Sequence, residues 1–188
     1  MDHNVSFDEL KIKAAKIRLV ALDMDGTLTD GSINISGQGE LFKRFNAKDG
    51  LGITAAKRHG LRIAIITGRE GSIIQYRAGE LGIEEDVMSG ISAKKQAILA
   101  LAEKYDLPLE AIAFMGDDLN DLPAILTAGL SAAPADAAED VKARVSWVAP
   151  HNGGQGAVRD LLELILKARG IWDTIIWEYC DEEKEDRQ

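Results

Sequence analysis

The sequence predicts an α/β domain built on a doubly wound parallel sheet. Three observations carry that expectation. Short, continuous apolar runs recur at IRLVAL, LRIAII and AIAFM; strands covered on both faces look like this, whereas half-exposed strands alternate. Helix-like segments separate the runs, so strands and helices take turns along the chain. Each run ends abruptly in aspartate, threonine or glycine, residues that favour turns and loops.

The elements follow in order. SFDELKIKAAKI reads as an amphipathic helix, with Phe7, Leu10, Ile12, Ala14 and Ile17 at mixed helical spacing. IRLVAL, ending at Leu22, is the first strand. DGSINISGQGELFKRFN breaks the alternation: Ile33 and Ile35 alternate, Gly37-Gln38-Gly39 turns, and Leu41 to Phe45 returns. That pattern is a β-hairpin over about 31–45, far too small for a second domain. ITAAKRHG is helical, LRIAII is the second strand, and SIIQYRAGELG and AKKQAILALAEKYD are helices. AIAFM is the third strand. LPAILTAG, LSAA, AAEDVKARV, SWVA and GAVRDLLELILKARG continue the pattern more weakly. Residues from about 171 to 188 read as a C-terminal tail. In it Trp172 and Trp177 pack on the core or on a neighbouring copy, Cys180 is a small apolar residue of a late helix, and DEEKEDR is solvated. With 188 residues and no repeat or linker, residues 1–188 form one domain.

Composition narrows the function classes. Apolar residues at 46% and charged ones at 28% are ordinary for a globular chain, large enough for a sizeable core. A net charge of −9 argues against nucleic acid or an anionic membrane as partner. A small anion remains open, because a local group of Lys and Arg reverses the potential in one cleft. The single Cys180 allows no intrachain disulfide and points to a reducing compartment. No stretch has a signal-peptide layout and no apolar run is long enough to cross a bilayer, so the expected location is cytoplasmic. His3, His59 and His151 are scattered. A metal would therefore be held mainly by oxygen, which favours magnesium over zinc.

In an open α/β sheet, ligands collect at the carboxyl ends of the strands. After the first strand comes DMDGTLTDG, with Asp23 and Asp25; after the second, TGRE, with Thr67, Gly68 and Arg69. After the third comes GDDLND, with Asp117, Asp118 and Asp121. Lys94 and Lys95 stand at a helix start between the last two. Carboxylates repel, so such a cluster implies a cation or a proton between them. Asp23 suits nucleophilic attack on phosphorus, forming an acyl phosphate. Asp25 points the same way if strand geometry persists, and suits general acid and then base. A cation must bridge carboxylate and phosphate. Asp117 supplies part of its cradle, with Asp118 and Asp121 as further ligands or as support for the ligands. Thr67 and one lysine hold the transferring oxygens. Each piece alone is ordinary: DxDG is a common turn, TGR a plain strand-to-helix connection, and a lone lysine a solvated charge. Their joint order is what points to a site.

That four-part order resembles the haloacid dehalogenase superfamily, from about Ala15 to Gly170. DMDGTLTDG, the hairpin, FNAKDGLGI, AIITGRE, the helix containing Arg77, GDDLNDLP and GGQGAVRDLLELILKARG narrow it. Together they resemble the phosphatases of 3-deoxy-D-manno-octulosonate (KDO) 8-phosphate, which serve lipopolysaccharide inner-core synthesis. The resemblance implies a Rossmannoid fold with the hairpin and no large cap domain. It implies Asp23 as nucleophile, Asp25 as acid/base, and Mg2+ held by Asp23, the Asp25 carbonyl and Asp117. Thr67 and Lys94 then bind the phosphoryl group. Asn46, Lys48, Asp49, Gly50, Arg69 and Arg77 match positions lining the sugar-acid site. A homotetramer is implied, in which hairpins associate and a neighbour helps close each site. This chain departs from the family pattern in having Lys48 and Thr54 where Arg is usual, Ala137 where His is frequent, and Gln155 in GGQG where Arg is usual. The phosphatase of nine-carbon 2-keto-3-deoxy sugar acid 9-phosphates shares the chassis and stands as the alternative substrate class. A receiver-like phosphoacceptor domain, a non-catalytic scaffold and a phosphomutase are the readings from other classes. The Gly153-Gly154 pair is a plain turn, or a mobile active-site loop on the family reading.

Overall fold

In the computed structural model, which describes residues 6–181, the three predicted runs form adjacent strands. The chain begins with α1 (Phe7–Lys16), β1 (Leu19–Leu22) and the hairpin strands β2 (Asn34–Ser36) and β3 (Gly39–Phe42). Then come α2 (Ala47–Arg58), β4 (Arg62–Ile66), α3 (Ser72–Leu81), β5 (Val87–Met88) and α4 (Lys94–Lys104). β6 (Ile112–Met115), α5 (Leu122–Ile125), β7 (Leu130–Ala133), α6 (Glu139–Lys142) and β8 (Trp147–Val148) follow. The described chain closes with α7 (Ala157–Ala168) and α8 (Trp172–Cys180).

The main sheet has the order β5-β4-β1-β6-β7-β8, and every pairing is parallel. All its carboxyl ends therefore face one way. The chain lays β4 and β5 on one side of β1, then crosses to add β6, β7 and β8 on the other. That reversal creates a crevice beside β1, the place where ligands collect in such sheets.

Burial explains the unbroken apolar runs. Val20 and Leu22 pack into one layer with α1, α2, α3 and α7, through Leu10, Ile53, Ile74 and Leu161. Leu19 and Ala21 pack into the other with α4, α5 and α6, through Ile98, Ile125 and Val141. Successive residues of β1 thus enter opposite cores, and none can be polar.

The antiparallel hairpin lies apart from that sheet and exposes its apolar residues, Ile33 at 53%, Ile35 at 66% and Leu41 at 60%. Within the segment from 171, α8 occupies Trp172–Cys180, the late helix expected at Cys180, seated by the buried Ile175 and by His59 Nε2 3.1 Å from Glu178 Oε2. Cys180 ends this helix, exposed. The acidic run from 182 onward, and His3, lie outside the described residues. Among the described residues no helix is long and apolar enough to cross a membrane.

Candidate active site

The strand order puts Asp23, at the end of β1, between Thr67 at the end of β4 and Asp117 beyond β6. One oxygen from each of Asp23, Asp117 and Asp121 lies within 4.8 Å of the others. Lys94, the first residue of α4, reaches into this group. Its Nζ donates to Asp23 Oδ1 at 2.6 Å and to Asp121 Oδ1 at 2.5 Å. Asp23, Lys94, Asp121 and Thr67 are all buried. Four distant segments thus converge at the crevice.

Asp121 is more than a candidate ligand. With no exposed surface, it anchors Lys94 through Oδ1, while Oδ2 accepts the N–H groups of Asp117 at 2.9 Å and Asp118 at 3.2 Å. It therefore shapes the loop that carries Asp117. Asp118 is different. Its exposed side chain caps the following 3-10 turn, Oδ1 accepting the N–H of Leu119 at 2.8 Å, and it stands outside the convergent triad. The capping preference of Asp accounts for its place.

The DMDGT loop is forced into shape by packing. Gly26 has φ +88°, and a Cβ there would lie 2.0 Å from Asp117 Oδ2. Only glycine permits both the left-handed backbone and the approach of that carboxylate. Thr29 closes the loop, its Oγ1 accepting from Gly26 N and Gly31 N and donating to Met24 O. Because β1 ends at Leu22, strand alternation does not extend to Asp25. Its carboxyl pairs with Lys43, with Arg69 Nε 3.4 Å from the other oxygen.

Burial pushes the Asp23 carboxyl up to about 6, reinforced by Asp121 and opposed by Lys94. Burial, with Asp23, Asp121 and Asp118, pushes Asp117 up to about 8. Burial works to lower Lys94, but Asp23 and Asp121 overcome it and its pKa ends above the ordinary value. One ammonium among three carboxylates leaves excess negative charge. A hard divalent cation with oxygen ligands fits that donor set and its unrelieved repulsion.

The expected substrate-reading residues divide. Arg69 stands at the crevice beside Asp25, its N–H donating to Thr67 Oγ1 at 3.2 Å. Asn46 caps α2, its side chain accepting from Lys48 N at 2.8 Å, and leaves the Lys48 side chain exposed. Asp49 is turned inward at 2% exposure, where Oδ1 accepts the N–H of Arg159 at the start of α7. Its first task is to tie α2 to α7. Gly50, Thr54 and Arg77 line a cleft of about 520 Å³ together with Leu81 and Tyr179. That cleft's lining includes none of Asp23, Thr67, Lys94 or Asp117. Arg77 is held there by Glu80 at 3.1 Å and by the Phe45 ring.

One feature lacked a signal in the sequence, and another gains a definite place. Lys43, from the hairpin, is fully buried against Asp25; no motif marks it, and a lysine beside a hairpin strand ordinarily reads as an edge charge. The Gly153-Gly154 segment is packed hard against the DMDGT loop. A Cβ on Gly153 would lie 1.7 Å from Gly26 O, and one on Gly154 would lie 2.4 Å from Thr29 C. Gly154 N donates to Thr27 O at 3.0 Å, and Gly153 N to Asp136 Oδ1 at 2.9 Å. Its backbone forms a wall of the site.

Comparison with known proteins agrees with this geometry. Residues 84–162 match the family model of haloacid dehalogenase-like hydrolases. The 3-deoxy-D-manno-octulosonate 8-phosphate phosphatase KdsC of Escherichia coli (strain B / BL21-DE3) is 41% identical over 165 residues, 88% of this chain and 87% of that protein. Its counterpart from Yersinia pestis is 40% identical, over 86% of each chain. The crystal structure of the Moraxella catarrhalis enzyme, in complex with magnesium ion, phosphate ion and KDO, matches with a TM-score of 0.89 at 38% identity, over 93% of this chain and 99% of that one. The cobalt-bound Haemophilus influenzae phosphatase matches with a TM-score of 0.83 at 36% identity, over 86% of this chain and 95% of that one. Sequence and fold agree that this chain is a phosphatase of the haloacid dehalogenase-like hydrolases, in the family of the 3-deoxy-D-manno-octulosonate 8-phosphate phosphatases.

Proposed function

We propose that this phosphatase hydrolyses KDO 8-phosphate to KDO and inorganic phosphate through an aspartyl-phosphate on Asp23, in a magnesium-dependent reaction. The observation that carries the reading is the convergence of Asp23, Asp117 and Asp121 around Lys94 at the carboxyl ends of the central strands. Likeness to an enzyme solved with magnesium, phosphate and KDO supports the choice of substrate and ion.

The chain's own groups divide the work. An Asp23 oxygen attacks phosphorus as the P–O bond to the sugar breaks, and the departing alkoxide takes a proton from Asp25. Asp25 then removes a proton from water, whose oxygen displaces Asp23 and releases phosphate. Lys94 and the Thr67 hydroxyl hold the phosphoryl oxygens while charge redistributes. Asp23, Asp117 and the Asp25 carbonyl would hold the magnesium, with Asp121 fixing the Asp117 loop. The ion, when bound, offsets the repulsion between a carboxylate and a phosphate. Arg69, Asn46 and Lys48 face the sugar acid, Asp49 holds the start of α2 in place for it, and Gly50 and Arg77 read it from the cleft they share.

The exposed Ile33, Ile35, Leu41 and Phe42 of the hairpin support its association with other copies, in a homotetramer that covers each crevice from water. A lone cysteine fits a reducing cytoplasmic compartment.

Phosphate release from KDO 8-phosphate, nine-carbon 2-keto-3-deoxy acid 9-phosphates and hexose phosphates, with magnesium, tests the substrate. Strong preference for KDO 8-phosphate is expected, and comparable rates on simple hexose phosphates would overturn it. Asp23→Asn should abolish turnover with an unchanged circular dichroism spectrum; retained activity removes Asp23 as nucleophile.

A further inference from the structure

The hairpin inverts the usual burial pattern. It leaves Ile33, Ile35, Leu41 and Phe42 exposed, at 47% or more, yet buries the side chain of Lys43 to 1% exposure. Placing a lysine where water cannot reach it is costly unless charged partners meet it. Two do. Lys43 Nζ donates to Asp25 Oδ1 and lies 2.7 Å from Glu40 Oε1, three residues back on β3. Asp25 Oδ2 is left with the looser contact to Arg69 Nε at 3.4 Å.

We propose that Lys43 is a positioning residue for the acid–base step, the Glu40–Lys43 pair locking Asp25 Oδ1 so that Oδ2 faces the leaving group. This rests on the reading of Asp25 as general acid. The anchored oxygen sets the carboxyl plane, and the other oxygen gives its proton to the departing sugar alkoxide. Later it takes one from the attacking water. Seating the hairpin and aiming the acid are then one event. A charge-assisted bond of this kind constrains direction as well as distance.

The test compares leaving groups. An alkoxide needs a proton as it departs, whereas 4-nitrophenolate does not. The readout is kcat/KM, which reports steps only up to leaving-group departure. Lys43→Met should lower kcat/KM for KDO 8-phosphate about 100-fold, the lower end for general acid–base catalysis. For 4-nitrophenyl phosphate the loss should be under about threefold, since little proton transfer is required there. Glu40→Gln should show the same selectivity at smaller amplitude, and serves if Lys43→Met does not fold. Asp25→Asn provides the reference. If Asp25→Asn is selective while Lys43→Met and Glu40→Gln reduce both esters equally, the pair is merely structural and the inference fails while the acid assignment stands. If Asp25→Asn itself shows no selectivity, the acid assignment fails and takes the inference with it.

Discussion

Replacing Lys94 by methionine removes one ammonium while nearly keeping volume, and the structure sets the scale of the result. Its Nζ lies 2.6 Å from Asp23 Oδ1 and 2.5 Å from Asp121 Oδ1, with side-chain exposures of 1%, 8% and 0% for the three residues. Removing one partner from a buried ion pair costs about 3–5 kcal/mol, because the other charge is left without compensation. For a domain of this size, each kcal/mol moves the midpoint by about 2–4 °C. The metal-free variant should therefore melt about 6–20 °C below the parent at pH 8. The pH dependence has a definite sign. Asp23 and Asp117 already have folded-state pKa values of about 6 and about 8, above 3.8, with Lys94 opposing both shifts. Without the ammonium they rise further, so the folded state binds more protons than the unfolded chain between about pH 4 and 8. The deficit should shrink as pH falls through that window and widen as it rises. Saturating magnesium should recover part of it, about 2.7 kcal/mol at a hundredfold excess over Kd. Thermal melts in EDTA and in magnesium, at pH 5 and pH 8, measure all of this. A variant melting within about 2 °C of the parent in EDTA at pH 8 would refute the view that this ammonium holds the carboxylates together.

Three further outcomes follow from the same geometry. Gly153→Ala must displace Gly26 O, 1.7 Å from the new Cβ, so it should destabilise by about 1–3 kcal/mol and lower kcat at least tenfold. Gly37→Ala, with nothing within 4 Å, is the control, and unchanged kinetics in Gly153→Ala would show that the wall is not needed. Because Asp117 holds its proton up to about 8, magnesium must compete with it; affinity by titration calorimetry should weaken about tenfold per pH unit below that value, and a flat profile from pH 6 to 8.5 would refute the competition. Ile35→Asp with Leu41→Asp should reduce the mass measured by light scattering to that of a smaller species, and an unaltered mass would exclude the hairpin from assembly.

Asp23, Thr67, Lys94 and Asp117 were legible because each follows a strand or opens a helix, and a parallel sheet must gather such positions at one end. Asp25 was legible as a residue but not in direction, since alternation ends with β1 at Leu22 and the loop beyond is set by Gly26 and Thr29. Lys43 and Glu40 were invisible: their meaning comes from the hairpin folding back over the crevice, a tertiary placement that no local pattern encodes. Asp49 shows what the motif left out. Its place in a family motif suggested a ligand contact, and the structure adds an interior bond from Oδ1 to the α7 terminus that no local pattern announces. The run after Gly170 lacked strong punctuation, and its helix is settled by the seating of Ile175 and the His59–Glu178 contact.

The backbone of Gly153 and Gly154, lying against Gly26 and Thr29, bears on the order in which a ribosome delivers the molecule. The nucleophile emerges early, but the surface its following loop leans on is among the last third to be translated, and domains generally fold as units. A polypeptide halted before that surface appears would carry Asp23, Lys94 and Asp117 without the brace on the Gly26–Thr29 turn. Premature termination should therefore yield inert fragments and not half-selective hydrolases, so that a cell's other phosphate esters are spared from incomplete copies.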